Sequence, residues 1–256
     1  MTSDVETAGS LPFVEGFFHF DSIDSTNTFA KSLPCYPKKG MAVVCADKQT
    51  AGRGQRQNTF FSEVAGGLYV SVVCPISDLA SHFTYNRAVS LAIYDAVKAL
   101  APKSSLSIKW PNDIYWGDRK LCGILLETVP AHPGVIVIGF GINVNIARLD
   151  FPPDIRGSAT SVLIETRKRH APGGLLCVIL ERFRQYLSVP AEAAHMLYAN
   201  RLYKMGAPCA AGGNRGTFAG VYPDGRMRLQ QGESELLLTT GPVRFAKAGK
   251  RLSPRP

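Results

Sequence analysis

Charged and amide side chains interrupt the otherwise apolar segment KWPNDIYWGDRKLCGILLE at residues 109–127. The Gly-Asp pair in its middle predicts a two-residue hairpin turn, which places Tyr115 opposite Lys120 and Asp113 opposite Cys122. These four side chains would share one face, because side chains alternate between faces along a strand. Asp113 and Lys120 would then be diagonal neighbours, roughly 7–8 Å apart, and could hold a metal ion and an anion side by side. The alternative is a surface hairpin whose polar face is solvated.

A second candidate site is the polar segment AGRGQRQN at residues 51–58. Its glycines allow the backbone to approach a ligand closely, and Arg53 and Arg56 carry guanidinium groups that suit a carboxylate or a phosphate. The segment is therefore either an anion-binding loop or an exposed flexible loop. It lacks the G-x-x-x-x-G-K-[ST] spacing of a P-loop.

Two shorter motifs complete the set of candidate sites. DSTN at residues 24–27 predicts the N-cap of a helix, or hydroxyl and amide groups that bind a polar ligand there. GFGINV at residues 139–144 lacks the third glycine of a dinucleotide-binding fingerprint and lies in strand-like surroundings, which argues against a Rossmann site. Its glycines are expected where strand backbone meets a ligand, or at a bulge.

The composition is that of a globular protein with excess positive charge. The 256 residues carry a net charge of +9, and residues 201–256 hold ten Lys or Arg against three acidic residues. A basic segment fits nucleic acid, a membrane surface, an acidic protein partner or plain solvation. The six cysteines lack C-x-x-C spacing, which argues against zinc and disulfides and favours the cytoplasm. The sequence shows neither a signal-peptide pattern nor an apolar run long enough to span a membrane.

Hydrophobic periodicity predicts an α+β fold with a mixed, largely antiparallel sheet. The predicted elements are helices at residues 84–100, at 174–187 and after Pro190, and strands at 41–46, 67–74 and 134–145. Four short strands predicted at 216–222, 226–230, 235–240 and 243–245 are typical of a small all-β barrel. We therefore expect a larger domain at residues 1–206 and a β domain at residues 207–256.

Taken in order, DSTN, QTAGRG, GGLYVS, KWPNDI, RKLCGILLE and GFGINV resemble the motifs of the biotin protein ligases. The resemblance runs from Phe17 to the C-terminus, and KWPND is its most diagnostic part. It implies that residues 1–206 form a class II synthetase-like catalytic domain that binds biotin and ATP, and that residues 207–256 form an SH3-like barrel. The sixteen residues before Phe17 are too few for the winged-helix domain of some members, so no DNA-regulatory function is expected.

The implied reaction joins biotin to ATP as biotinyl-5′-AMP, with Mg²⁺, and then transfers biotin to one lysine of a carboxylase's carrier domain. The resemblance implies that Lys120, Arg53 and Asp113 are catalytic. The implied biotin-binding residues are Ser25, Thr26, Gln49, Gly52, Arg53, Lys120, Gly123 and Gly141. The implied ATP-binding and adenylate-binding residues are Arg53, Arg56, Lys109, Asn112 and Asn143, and Asn112 and Asp113 would hold the metal. Gln55 and Phe60 stand where many members carry Arg and Trp, respectively.

The implied partners are biotin, ATP and an acidic biotin carboxyl carrier domain, with no DNA and no membrane, for a monomer or weak homodimer. Docking of the carrier would use Arg226, Arg228, Arg244 and Lys247 in the β domain. The loop at residues 50–58 would become ordered when ligand binds. The alternatives are a lipoate or octanoate ligase of the same superfamily and, from a different class, a basic nucleic-acid-binding protein.

Overall fold

A computed structural model describes residues 4–55, 58–78 and 81–246 and has an α+β fold. The strands of its main sheet are β1 (Val14–Phe20), β2 (Met41–Ala46), β3 (Gly67–Pro75), β4 (Leu106–Lys109), β5 (Asp113–Trp116), β6 (Arg119–Val129) and β7 (His132–Asn143). Their order is β1-β2-β3-β7-β6-β5-β4. Strands β1 and β2 are parallel and the other neighbouring pairs are antiparallel, so the prediction of a mixed, largely antiparallel sheet is confirmed.

Of the five helices in the described part of the chain, four lie at predicted positions, whereas the short helix Val162–Thr166 was not predicted. They are α1 (Thr26–Ala30), α2 (His82–Leu100), α3 (Val162–Thr166), α4 (Pro172–Leu187) and α5 (Ala191–Ala199). Short 3-10 helices span Asp4–Ser10 and Arg148–Asp150. The two long helices each begin two residues before their predicted start, and Pro172 occupies the first turn of α4, where its missing N–H costs no hydrogen bond.

Both faces of the sheet are buried near its centre, which explains why the strand sequences are almost continuously apolar. In β2, Val43 and Cys45 point toward the large core beneath α2 and α4, whereas Ala42 and Val44 point toward a second cluster with Ala30 of α1. This alternation follows from the two-residue period of a strand. Helix α1 therefore lies on the opposite face of the sheet from α2 and α4.

The C-terminal part of the chain forms a second, five-stranded antiparallel sheet, consistent with an SH3-like barrel. Its strands are β8 (Pro208–Ala211), β9 (Asn214–Val221), β10 (Met227–Gln231), β11 (Ser234–Leu238) and β12 (Val243–Phe245), in the order β11-β10-β9-β8-β12. Strand β8 was not among the predicted strands, because its sequence PCAA lacks the β-branched and aromatic residues that signal a strand. The domain boundary at residue 206 stays a prediction.

A turn of the barrel packs tightly against the larger domain. The indole N–H of Trp110 donates a 2.9 Å hydrogen bond to the carbonyl of Gly225. Gly225 has a φ of +94°, and a Cβ atom there would lie 2.4 Å from Cγ of Phe83 in α2. Only glycine fits at this position, because the backbone is left-handed and the approach is closer than any side chain allows. The barrel is thereby anchored beside the segment that precedes β5.

All six cysteines lie in the described part of the chain and are free, which agrees with the prediction that they form no disulfides. Among the described residues, no helix has both the length and the hydrophobicity needed to cross a bilayer.

Candidate active site

The polar end of the site is built at the N-terminus of α1. Ser25 caps this helix, as predicted for DSTN, and accepts a 3.4 Å hydrogen bond from the backbone N–H of Thr28. The backbone N–H and hydroxyl of Thr26 lie 2.8 and 3.1 Å from Oε1 of Gln49. Gln49 in turn donates to Ser62 at 3.2 Å. These residues are almost fully buried, so the hydrogen bonds fix hydroxyl and amide groups in one arrangement.

Gly139 is explained by the side chain of Asn27. A Cβ atom at position 139 would lie 2.1 Å from Oδ1 of Asn27, so only glycine leaves room for this amide. The same Oδ1 accepts a hydrogen bond from the hydroxyl of Ser71 in β3. The Ser71 hydroxyl also lies 2.8 Å from the hydroxyl of Thr26. Asn27 is thereby locked against the sheet beside the polar end of the pocket.

A cluster of charges extends from Asn27 to the polar segment at residues 51–58, which we call the Gly/Arg loop. The Glu127 carboxylate accepts hydrogen bonds from Nδ2 of Asn27 and from Nζ of Lys31, both at 2.9 Å. A guanidinium nitrogen of Arg53 lies 3.1 Å from the same carboxylate. Burial acts to raise the pKa of Glu127, but the hydrogen bonds from Asn27 and Lys31 outweigh burial and lower it, so the carboxylate is ionised at neutral pH.

The hairpin of β5 and β6 has the predicted turn but not the predicted register throughout. Tyr115 pairs with Lys120 as predicted, but Asp113 pairs with Gly123 rather than with Cys122. The prediction of an Asp113–Cys122 pair was wrong because a β-bulge adds one residue to β6 between these pairs. The bulge turns Cys122 into the core and brings a glycine opposite Asp113, where an added Cβ atom would lie 3.1 Å from both Nζ of Lys120 and Cε2 of Phe60.

Lys120 and Asp113 form an ion pair on the ligand side of this hairpin. The Lys120 ammonium lies 2.7 Å from a carboxylate oxygen of Asp113, and both side chains are half-buried. Burial acts to lower the pKa of Lys120, but the attraction and hydrogen bond of Asp113 outweigh burial and raise it. Lys120 therefore carries a positive charge throughout the physiological pH range.

Lys109 and Asn112 lie on the same side of the site. The Lys109 ammonium donates a 3.1 Å hydrogen bond to the hydroxyl of Tyr115, and burial lowers the pKa of Lys109 even though the charge of Asp113 acts in the opposite direction. The amide nitrogen of Asn112 donates to the carbonyl of Ile124, which leaves its amide oxygen for a ligand. This is the KWPND segment that the sequence marked as diagnostic.

The described part of the Gly/Arg loop folds over the pocket. The backbone of Gly52 accepts a 2.9 Å hydrogen bond from Phe60, and Gly54 donates one of 2.8 Å to Asn58. The Phe60 ring lies against β7, where a Cβ atom at Gly141 would be 2.4 Å from its Cε1. Phe60 therefore forms an apolar wall of the pocket. Arg56, a predicted site residue in the same loop, lies outside the described residues.

These groups converge on one pocket with about 470 Å³ of empty space, including its open mouth. The pocket is lined by Ser25, Thr26, Asn27, Gln49, Arg53, Gly54, Gln55, Phe60, Val70, Asn112, Lys120, Gly123, Ile124, Leu125, Gly139, Phe140 and Gly141. An adjoining pocket shares Asn112 and Lys120 and adds Lys109, Asp113 and residues 241–243 of the barrel. One elongated site thus runs from hydroxyl and amide groups, past apolar walls, to a cluster of lysines and arginine.

Most of the predicted site residues are brought together here, but Gly52 and Asn143 do not line either pocket. Gly52 is buried beneath the loop, where a Cβ atom would lie 2.2 Å from Oγ of Ser62. Asn143 donates to the carbonyl of Thr160 and so supports the segment behind Lys120. Asn27 and Glu127 were not among the predicted site residues, although Asn27 belongs to the DSTN motif. For Glu127, the available signal was an acidic residue within the apolar run of β6.

Comparisons with known proteins show the family to which this chain belongs. Residues 19–143 match the model of the Biotin/lipoate A/B protein ligase family. A biotin–[acetyl-CoA-carboxylase] ligase of Paracoccus denitrificans is 31% identical over 223 residues, which are 81% of this chain and 91% of that protein. The chain belongs to the biotin protein ligase family.

Two further similar proteins differ from this chain in length or have a lower sequence identity to it. The bifunctional ligase/repressor BirA of Bacillus spizizenii is 30% identical over 207 residues; the match covers 78% of this chain and 63% of that longer protein. A biotin protein ligase from Aquifex aeolicus, solved in complex with biotin and ATP, superposes with a TM-score of 0.79 at 23% identity. The superposition covers 91% of this chain and 99% of that structure.

Proposed function

We propose that this chain is an ATP-dependent biotin–protein ligase that forms biotinyl-5′-AMP and transfers biotin to a lysine of a carrier domain. One observation carries the proposal: the Lys120–Asp113 pair lies at the cationic end of a pocket whose other end presents the hydroxyl and amide groups of Thr26 and Gln49. Biotin has the matching polarity, with a ureido ring at one end, an apolar middle and a carboxylate at the other.

In the first step a carboxylate oxygen of biotin attacks the α-phosphorus of ATP. A new P–O bond forms, the bond to the β-phosphate breaks, and pyrophosphate leaves with the electron pair. Two anions must approach each other, so cations that are already in place lower the barrier more than mobile ones. Lys120 and Arg53 would hold the carboxylate and the α-phosphate, and Lys109 would hold the nucleotide phosphates.

In the second step the neutral amine of the target lysine attacks the acyl carbon of biotinyl-5′-AMP. The C–N bond forms, AMP leaves with the electrons of the C–O bond, and the amine loses one proton. Lys120 would stabilise the negative charge that develops on the AMP phosphate.

The residues at the cationic end fit Mg²⁺ that arrives with ATP. Mg²⁺ is usually held by one or two carboxylates together with substrate phosphates and water. Asp113 supplies a carboxylate and Asn112 an amide oxygen, and among the described residues no cluster of three His, Cys, Asp or Glu offers a separate site. When bound, Mg²⁺ would neutralise phosphate charge and favour the departure of pyrophosphate.

An acidic carrier domain is the proposed macromolecular partner, and the barrel is its proposed docking surface. Two of the four basic residues assigned to docking are already neutralised, because Arg226 pairs with Asp224 and Arg228 pairs with Glu235, each at 2.7 Å. Arg244 is exposed and has no ion-pair partner within the described residues, whereas Lys247 lies outside them. Among the four, Arg244 is therefore the best candidate for steering the carrier.

The lipoate or octanoate alternative is disfavoured by the polar end of the pocket. An octanoyl chain or a dithiolane ring would place only apolar atoms against the buried polar groups of Thr26 and Gln49, whereas a ureido ring brings hydrogen-bond donors and an acceptor to them. The nucleic-acid-binding alternative gives no role to the half-buried Lys120–Asp113 pair.

Transfer to protein tests the proposal. Incubation with biotin, ATP, Mg²⁺ and a recombinant biotin carboxyl carrier domain should add one biotin to one lysine, as detected by intact-mass spectrometry. A carrier whose target lysine is replaced by arginine, and a lipoyl domain offered with lipoate, are the controls. Modification of the lipoyl domain with lipoate at an equal rate would refute the biotin assignment.

A further inference from the structure

Glu127 and Lys31 do not line the pocket, but they form a charge cluster with Arg53 and Asn27, which do. Glu127 lies on β6, two residues beyond the pocket-lining Leu125, and its side chain is 19% exposed. Its two carboxylate oxygens are engaged by Asn27 on one side and by Lys31 and Arg53 on the other. Three donors on one carboxylate are more than a solvated surface residue needs, which indicates a specific role.

We propose that Glu127 is a positioning residue that holds the Arg53 guanidinium at the mouth of the pocket before the substrate carboxylate arrives. The proposal rests on the ligase function proposed above and adds to it a residue that prepares Arg53 for binding. Glu127 itself touches neither biotin nor ATP in this account.

Arg53 needs such a partner because it belongs to a loop. Its side chain is 45% exposed, and Glu127 is the only acidic group within ion-pair distance of it among the described residues. Immobilising a long, flexible side chain costs conformational entropy. If Glu127 orders the guanidinium in advance, that cost is met on folding and not when biotin binds.

Glu127 is itself held rigidly, so it can act as a fixed reference for the loop. Its Oε2 accepts from Asn27, whose Oδ1 accepts from Ser71 and fits only above Gly139. The same network continues from Ser71 to Thr26 and Gln49. The position of Arg53 is therefore tied to the groups proposed to bind the ureido ring.

The charge balance favours release of Arg53 to an incoming anion. Lys31 and Arg53 share one carboxylate oxygen, so the cluster carries one more positive charge than negative. When the substrate carboxylate enters, Lys31 still neutralises Glu127. The Arg53 guanidinium can then contact both the Glu127 carboxylate and the substrate carboxylate. A cluster of Glu127 and Arg53 alone would lack this spare charge.

The test is a double-mutant cycle read by biotin-dependent ATP–pyrophosphate exchange. Glu127→Gln should raise KM for biotin roughly 10- to 100-fold, the size expected for a hydrogen bond to a charged group, while kcat changes by less than about threefold. In the Arg53→Ala background the same substitution should raise KM by less than about twofold, because there is no guanidinium left to position. Glu235→Gln removes a comparable carboxylate from the Glu235–Arg228 pair in the barrel and should leave both constants unchanged.

The outcomes separate this inference from the ligase proposal. If the wild-type protein shows no biotin-dependent exchange, the ligase proposal fails first. If the wild-type protein is active and Glu127→Gln has the same effect with and without Arg53, Glu127 acts only on the fold and the positioning role is wrong. A lower KM in Glu127→Gln would mean that Glu127 sequesters Arg53, which also overturns the proposal. Should Glu127→Gln not fold, Glu127→Asp keeps the charge, shortens the reach to Arg53 and gives the same test.

Discussion

The amide oxygen of Asn27 occupies the space in which a side chain at position 139 would begin: a Cβ atom at Gly139 would lie 2.1 Å from it. This contact joins helix α1 to the central strand β7 at the floor of the pocket. It also places the Asn27 amide nitrogen 2.9 Å from Glu127. The glycine is thus required by a neighbouring side chain of the protein itself, and its effect on a ligand is indirect.

Gly139→Ala should therefore displace Asn27 and disturb both ends of the pocket. We expect a loss of about 1–3 kcal/mol in the free energy of unfolding, typical of overpacking, together with weaker biotin binding. Chemical denaturation and calorimetric titration with biotin measure the two effects. Gly174→Ala, at a helical glycine with nothing within 4 Å of the added Cβ, is the matched control: it should leave biotin affinity unchanged and raise the free energy of unfolding by at most about 1 kcal/mol, because alanine is the better helix former. Unaltered biotin affinity in Gly139→Ala would show that the Asn27 contact has no part in the site.

The fold could be predicted well where the sequence pattern is local. The α2 and α4 segments show helical spacing, and β2, β3 and β7 are short runs of apolar residues between turns, so their type followed from periodicity. Strand β8 could not be predicted, because alanine and proline carry no strand signal and the pairing with β9 and β12 supplies its stability.

The site could be predicted only in part, because some of its contacts are long-range. The resemblance grouped Lys120, Asp113 and Gln49, which line two adjoining pockets that share Lys120, while their roles stay predictions. The bulge in β6 depends on how Leu121 packs in the core, so the sequence alone suggested the wrong partner for Asp113. The Asn27–Glu127 contact joins residues 100 positions apart, and no spacing rule reports such a pair.

Lys120→Ala should nearly abolish adenylate formation and leave the fold intact. Loss of one preorganised donor at such a site typically lowers the rate by about 10²–10³. Exchange kinetics measure the rate, and circular dichroism during thermal unfolding checks the fold. Lys168→Ala, at an exposed lysine outside the pocket, is the control. A rate within about threefold of the wild type would exclude the role assigned to Lys120.

The alkaline limb of the pH profile of kcat/KM for ATP should report the deprotonation of Lys109. Burial lowers its pKa, so its positive charge is lost as pH rises through a value below that of an ordinary lysine, whereas the raised pKa of Lys120 keeps that charge in place. We expect kcat/KM for ATP, which reflects the free enzyme, to fall along this limb. In Lys109→Arg the limb should move to higher pH, because arginine stays protonated. Identical limbs in both proteins would assign the titration to another group.

Trp110→Phe should loosen the contact between the barrel and the larger domain. The substitution keeps an aromatic ring but removes the N–H that donates to Gly225, so about 1 kcal/mol of stability should be lost. Because Trp110 precedes Asn112 and Asp113, KM for ATP should rise while biotin affinity stays unchanged. Equal effects on ATP and biotin would point to a general loss of structure.

Steering of the carrier by the barrel can be separated from the chemistry. Arg244→Glu should slow biotin transfer to an acidic carrier domain and reduce the salt dependence of that rate, because rim charges act mainly on association. Transfer to hydroxylamine should be affected far less, since this small neutral amine needs no docking surface. Stopped-flow transfer rates at low and high salt measure both, and an unchanged salt slope with the carrier would rule out the docking role.

In the proposed mechanism the pocket activates biotin with ATP. The decisive measurement is the incorporation of labelled pyrophosphate into ATP with purified protein and Mg²⁺, with biotin, lipoate, octanoate or no acid added. We expect exchange that depends on biotin, is at least about tenfold weaker with lipoate or octanoate, and is lost in Lys120→Ala. Exchange that is absent with biotin, or that is fastest with octanoate or lipoate, would contradict this mechanism.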